Sequence, residues 1–156
     1  MLRDRNLVPL SHQHQHALAL CVRIERAFRK TPVDLASWQA EVASEFEQEI
    51  QFHFAAEEQA LFPAARRFAE LEQLVDELLD EHARLRHAFA RAKVGAMDAA
   101  ELGQFTHLLS SHIRKEERQL FEEMQRQLLP EEIAVVGADL ESVLKLAVRA
   151  CEIRKR

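Results

Sequence analysis

The reading of this chain turns on HFAAEEQALFP, residues 53–63. The pattern returns as HIRKEERQLFE at residues 112–122, so both copies read H-x-x-x-E-E-x-x-L-F. Positions i and i+4 of a helix lie on one face, one turn apart. Each copy therefore sets an imidazole (His53, His112) beside a carboxylate (Glu57, Glu116) and follows them with two apolar residues. A helix offers a metal ion such a pair from a single face, and this chain offers it twice.

Outward from these copies, apolar residues recur every three or four positions, which is the helical period. A first helix is predicted from about Pro9 or Ser11 to Lys30, with Ser11 as a cap and a stripe of Leu10, Leu18, Cys21, Ile24 and Phe28. Thr31-Pro32 breaks the pattern, and Asp34 is placed to cap a second helix over 35–67. Its stripe is Trp38, Val42, Phe46, Ile50, His53, Glu57, Leu61 and Ala64, with Pro63 expected to kink or loosen its end. The third helix is predicted over 70–93, with Leu71, Leu74, Leu78, His82, Leu85 and Phe89 in phase. After a turn at 94–97, Asp98 caps a fourth helix running to about Leu129, striped by Leu102, Phe105, Leu109, His112, Glu116, Leu120 and Met124. Pro130 with Glu131 and Glu132 opens a fifth, over about 131–152, striped by Ile133, Val136, Leu140, Leu144, Ala147 and Cys151.

The expected fold is therefore all-α: an antiparallel up-down-up-down four-helix bundle over about 8–129, with an additional C-terminal helix. That helix either caps the bundle or makes a subunit contact, possible as a homodimer. The 156 residues suit a single domain. Only three Gly and four Pro interrupt the chain, as a helical protein requires. Lys and Arg are scattered among a larger number of acids, for a net charge of −5, so no basic face points to nucleic acid. No apolar run approaches the roughly 20 residues of a membrane span, and the N-terminus lacks the apolar core of a secretion signal. Cys21 and Cys151 stand far apart and form no C-x-x-C, which suits packed thiols in a reducing, cytoplasmic setting.

The inward stripes also carry His14, His53, Glu57, His82, His112 and Glu116, with at least one of these residues on each of the four helices. Moving an unpaired charge into a core costs several kcal/mol, and a partnerless buried imidazole costs about 1–3 kcal/mol. A domain with a net stability of roughly 5–15 kcal/mol cannot carry six such groups uncompensated. Either they satisfy one another through hydrogen bonds, or metal does. Imidazole with carboxylate suits iron, manganese or zinc. Four His and two Glu exceed the needs of one ion. They suit two ions bridged by both carboxylates, with two terminal His on each and a coordination position left open.

This set resembles the hemerythrin-like family of HHE cation-binding domains. The resemblance covers about residues 8–129 and rests on His14, His53 with Glu57, His82, and His112 with Glu116. Leu10-Ser11, Glu58, Leu61-Phe62-Pro63 and Glu81 match the local context. It implies a non-heme centre of two iron ions, with Glu57 and Glu116 bridging and an oxo or hydroxo bridge from solvent. One departure stands out. Oxygen-carrying hemerythrins place a further His four residues after the third-helix ligand, and here that position is Arg86. His87 points about 140° away from His82. The chain thus looks more like the four-His, two-Glu relatives associated with oxygen or nitric oxide response, iron handling or iron–sulfur repair. The expected function is binding or sensing of a small diatomic ligand, oxygen or nitric oxide. The alternatives are an enzyme acting on nitric oxide or peroxide, and an iron store or donor. The E-x-x-H of ferritin-like proteins and the H-E-x-x-H of zinc proteases are both absent.

Around this set, His12 and His16 form an i, i+4 pair off the stripe, and His16 is an alternative to His14 at the helix start. Glu58 and Glu117 are expected to support the ligands or face solvent, although Glu117 also stands five residues after His112. His87 and His107 are expected at or near the surface. Arg86 is read as a salt-bridging residue, a donor to a ligand carboxylate, or a guard over an open metal position. Phe46, Phe54, Phe62 and Phe121 are core residues that can wall a dry pocket, and Cys21 packs.

Overall fold

The computed structural model describes residues 2–30 and 32–154, with side chains described to residue 146. Thr31 and the last two residues lie outside that description, as do the side chains of Ala147 and Cys151 on the fifth helix stripe. The described residues form five helices and no strand. These are α1 (Val8–Ala27), α2 (35–65), α3 (Ala69–Lys93), α4 (99–127) and α5 (Pro130–Arg154).

Starts and stops follow local chemistry. Asp34 caps α2, its side chain accepting from the Ser37 amide. Asp98 caps α4 through a full capping box, accepting from the Glu101 amide at 2.8 Å while Glu101 accepts from the Asp98 amide at 2.9 Å. The turn into α4 uses Gly95 at φ +67°, a left-handed conformation that costs glycine little. Ser11 is not a cap. Helix α1 begins earlier, behind Leu7, and Ser11 lies within it with its hydroxyl donating to Glu117 at 2.6 Å. Pro9 fits the first turn of α1, where a missing amide proton costs nothing.

Helices α2 and α4 are not uniform. The segments Phe46–Ile50 and Glu57–Leu61 in α2, and Glu116–Leu120 in α4, are single π-helical turns. The amide of Phe62 bonds to the Glu57 carbonyl and that of Phe121 to the Glu116 carbonyl, both i to i+5. In an unbroken α-helix Phe62 would point about 140° away from Glu57. The widened turn brings it back, so Leu61 with Phe62 and Leu120 with Phe121 are all buried. The L-F that closes each motif copy is thus the apolar half of a π-turn that starts at its glutamate. The rewinding also moves the stripe: beyond Pro63 it is Ala65, not Ala64, that is fully buried, and α2 ends at 65 rather than 67.

Helix α1 packs against α4 and α2 against α3, with α3–α4 and α1–α2 contacts closing the ring. Helix α5 lies along residues 51–61 of α2 and buries Ile133, Val136 and Leu140, leaving Val135 and Leu146 exposed. The apolar interior falls into two clusters. One contains Leu10, Leu61, Phe62, Leu78, Phe121 and Met124 at the α5 end. The other contains Leu20, Ile24, Val42, Phe89, Leu102 and Phe105 at the far end. The predicted stripes supply Leu10, Leu61, Leu78, Met124, Ile24, Val42, Phe89, Leu102 and Phe105, while Leu20, Phe62 and Phe121 lie off them and the predicted Leu18, Phe28, Trp38, Phe46 and Leu74 are only partly buried. The in-phase His and Glu residues lie between the clusters. Among the described residues no helix is long and apolar enough to cross a membrane.

Asp98→Ala removes the cap side chain and leaves a first-turn amide of α4 unpaired. Its expected cost is about 1 kcal/mol of unfolding free energy, read as a shift in the urea midpoint at unchanged slope.

Candidate metal centre

The histidine and glutamate side chains on the stripes meet in the middle of the bundle. His14 comes from α1, His53 and Glu57 from α2, His82 from α3, and His112 and Glu116 from α4. All six are buried, with Glu57, Glu116 and His82 at 0% exposure. They form two groups of close donor atoms: His14, His53, Glu57 and Glu116 in one, and Glu57, His82, His112 and Glu116 in the other. Both carboxylates belong to both groups.

In every ring the Nε2 atom points inward. It lies 3.0 Å from Glu57 Oε1 for His53 and 3.3 Å from Glu57 Oε2 for His82. It lies 3.1 Å from Glu116 Oε2 for His14 and 3.2 Å from Glu116 Oε1 for His112. The opposite ring nitrogen, Nδ1, is engaged from outside. His14 donates to Glu117 Oε1 at 2.7 Å, His82 to Glu58 Oε1 at 2.8 Å, His112 to Glu81 Oε2 at 2.8 Å and His53 to Gln13 Oε1 at 2.8 Å. Committing the Nδ1 proton outward leaves each Nε2 with a lone pair turned toward the centre, the tautomer a metal ligand needs. Each backing carboxylate meets a cation in turn: Arg3 at Glu117, Arg86 at Glu58 and Lys115 at Glu81.

This arrangement is short of positive charge at its core. Both oxygens of Glu57 and of Glu116, and Nε2 of His82 and His112, are buried with no hydrogen-bond partner. The Nε2 atoms of His14 and His53 stand 2.9 Å apart, lone pair toward lone pair unless something positive sits between them. A full set of acceptors converging without donors fits divalent cations and fits little else. Protons are the other way to neutralise it. Burial works against a charged imidazole, but Glu116 and Glu117 outweigh it at His14 and hold it up at about 9. At His112 the Glu116 carboxylate, with Glu81 behind, prevails over burial and holds it up at about 10. Glu116 is pushed well down despite burial, chiefly by His112.

Aromatic rings close the walls. Phe54 stacks on His82 at 3.8 Å between centroids, Phe121 stacks on His14 at 5.6 Å, and Phe62 lies against His82 at 5.4 Å. Beside the donors is a cavity of ≈ 10 Å³ lined by His14, His53 and His112 with Ala17, Ile50, Phe54, Leu109 and Ile113. Gln13 and Glu49 complete its lining.

Of the residues singled out in the sequence, His14 occupies the helix-one place. His12 is exposed, and His16 is exposed and pairs with Glu49 at 3.0 Å. His87 and His107 are exposed, and Phe46 is only half-buried. Glu58 and Glu117 back histidines, and Arg86 acts one step further out, on Glu58, rather than on a ligand carboxylate. Sequence reasoning missed Gln13, Glu81 as the partner of His112, and Arg3. Only Glu81 had a local signal, its position beside His82.

Fold and site together define a helical bundle with a buried His/Glu set able to hold metal ions between its four helices. The family model described as the hemerythrin HHE cation binding domain matches residues 7–124, and the chain belongs to that family. No curated protein and no solved structure gives a significant match.

The two protonated histidines must lose their protons before Nε2 can ligate. Adding a divalent ion to the metal-free protein at neutral pH should therefore release protons, and apparent affinity should fall as pH falls. Titration in weak buffer with a pH indicator measures the first effect, and isotherms at stepped pH the second.

Proposed function

We propose that this protein is a non-heme di-iron protein that binds or senses oxygen or nitric oxide. In this reading His14 and His53 would hold one ion, His82 and His112 the other, and Glu57 and Glu116 would be shared by both. The observation that carries it is the pair of donor groups sharing both carboxylates. Iron is preferred over manganese or zinc, which the same donors also accept, because the family resemblance implies it.

A pair of iron ions there supplies redox chemistry with room for a small ligand. The chain's own residues do the rest. The four Nδ1 hydrogen bonds fix ring orientation before an ion arrives, and hold the remaining proton on Nδ1 once Nε2 gives its own up. Phe54, Phe62 and Phe121 keep bulk water from the centre. The cavity beside His14, His53 and His112 has room on the order of one water-sized molecule, which favours a diatomic over any larger substrate. The reading places the protein in the cytoplasm.

Metal analysis of the purified protein by mass spectrometry should find close to two irons per chain, with near-ultraviolet absorption that reduction bleaches. Glu57→Ala and His53→Ala should each lose the pair. Two irons retained by either variant would refute the ligand set. Exposure of the reduced protein to oxygen or nitric oxide should then give one stoichiometric spectral change. Sustained consumption of nitric oxide or peroxide would make it an enzyme instead, and ready transfer of iron to an apo-protein would make it a donor.

A further inference from the structure

The motif repeat makes the two donor groups look equivalent: each has two histidines, and both bridging carboxylates are common to them. What lies behind the histidines is not equivalent. His82 and His112 both donate Nδ1–H to carboxylates, Glu58 and Glu81. In the other group His14 donates to Glu117, but His53 donates to the neutral amide oxygen of Gln13. A carboxylate acceptor pulls the ring proton outward and makes Nε2 a stronger donor, whereas an amide oxygen does so much less. Each of the three carboxylates is also held by one cation, so the three are alike in this respect and His53 alone has no charged acceptor.

A second observation points the same way. His82 is fully buried beneath Phe54 and against Phe62. The cavity is lined instead by both histidines of the other group, His14 and His53, together with Gln13 and Glu49; of the His82–His112 group only His112 reaches it. Those last two side chains are only half-buried, and Glu49 pairs with the exposed His16. The group with the weaker donor is thus also the one with both of its histidines on the cavity.

We propose that Gln13 is a positioning residue that makes the two ion positions unequal, so that the ion held by His14 and His53 is bound more weakly and is the one that exchanges with solution. This rests on the two-ion reading above. The motif repeat alone predicts equal positions, and the inequality comes from a residue outside both copies.

The test is anaerobic titration of the metal-free full-length chain with ferrous iron against a competing chelator, for the wild type, Gln13→Glu and Gln13→Leu. The wild type should load in two resolved steps. Gln13→Glu places a carboxylate behind His53 and should tighten the weaker step by about 10–100-fold, while Gln13→Leu should weaken it by a similar factor. The tighter step should stay unchanged in both, which also shows that the variants fold. Mössbauer spectra of half-loaded protein should show one iron environment in the wild type and a mixture in Gln13→Glu. Two ions bound with equal affinity, or variants that leave both steps unmoved or shift the tighter one, would overturn the role of Gln13 while leaving the two-ion site standing. A wild type that binds fewer than two ions would overturn the two-ion reading and this inference with it.

Discussion

Two carboxylates at zero exposure in the middle of a helical bundle impose the constraint that the rest of this molecule answers. Glu57 and Glu116 approach no backbone amide and no lysine or arginine at the centre. They face the Nε2 atoms of four imidazoles, each ring turning its Nδ1–H the other way. The desolvation cost of such a pair is several kcal/mol per charge, and it falls on a bundle whose apolar core is already split into two clusters. Positive charge placed between those clusters would satisfy the carboxylates and tie all four helices together at one level. Fold and site are therefore one problem, and a cation bound there would also brace the bundle.

The outer ring of contacts makes the same point from outside. Each imidazole is locked by a partner on another element: Glu117 on α4 for His14 on α1, Glu58 on α2 for His82 on α3, Glu81 on α3 for His112 on α4, and Gln13 on α1 for His53 on α2. The locks run between neighbouring helices, so ring orientation depends on correct assembly of the bundle. Arg3, Arg86 and Lys115 then anchor the locking carboxylates, and the two arginines also lie over Phe121 and Phe54. A polar network that holds every imidazole from its outer side and leaves its acceptors converging at the centre is preorganised for what belongs there.

Much of this was legible in the residues because helical periodicity places a side chain on a face without any structure. The stripes that selected Leu78, Phe89 and Phe105 as core selected His14, His82 and His112 by the same rule, and the caps at Asp34 and Asp98 follow from local hydrogen bonding. What escaped was of two kinds. The π-turns at Glu57 and Glu116 change the period itself, so extrapolating 3.6 residues per turn through Phe62 put Ala64 in the core where Ala65 belongs. The partners of the histidines escaped because they are contacts across helices. Gln13 sits between two candidate histidines, His12 and His14, yet nothing in its own spacing says that it faces His53 on another helix.

The two motif copies share their His, both Glu residues, the π-turn and the buried L-F pair, and on that basis the centre should be symmetric. In hemerythrins that carry oxygen, the resemblance implies that an additional third-helix histidine breaks the symmetry. Here Arg86 stands at that place and reaches Glu58 instead. The inequality in this chain lies one contact further out, where three histidines meet carboxylates and His53 meets an amide. It falls on the side where the small cavity, Gln13 and Glu49 lie. On the proposed two-ion reading, a difference between the ions would thus arise without altering the number of ligands on either.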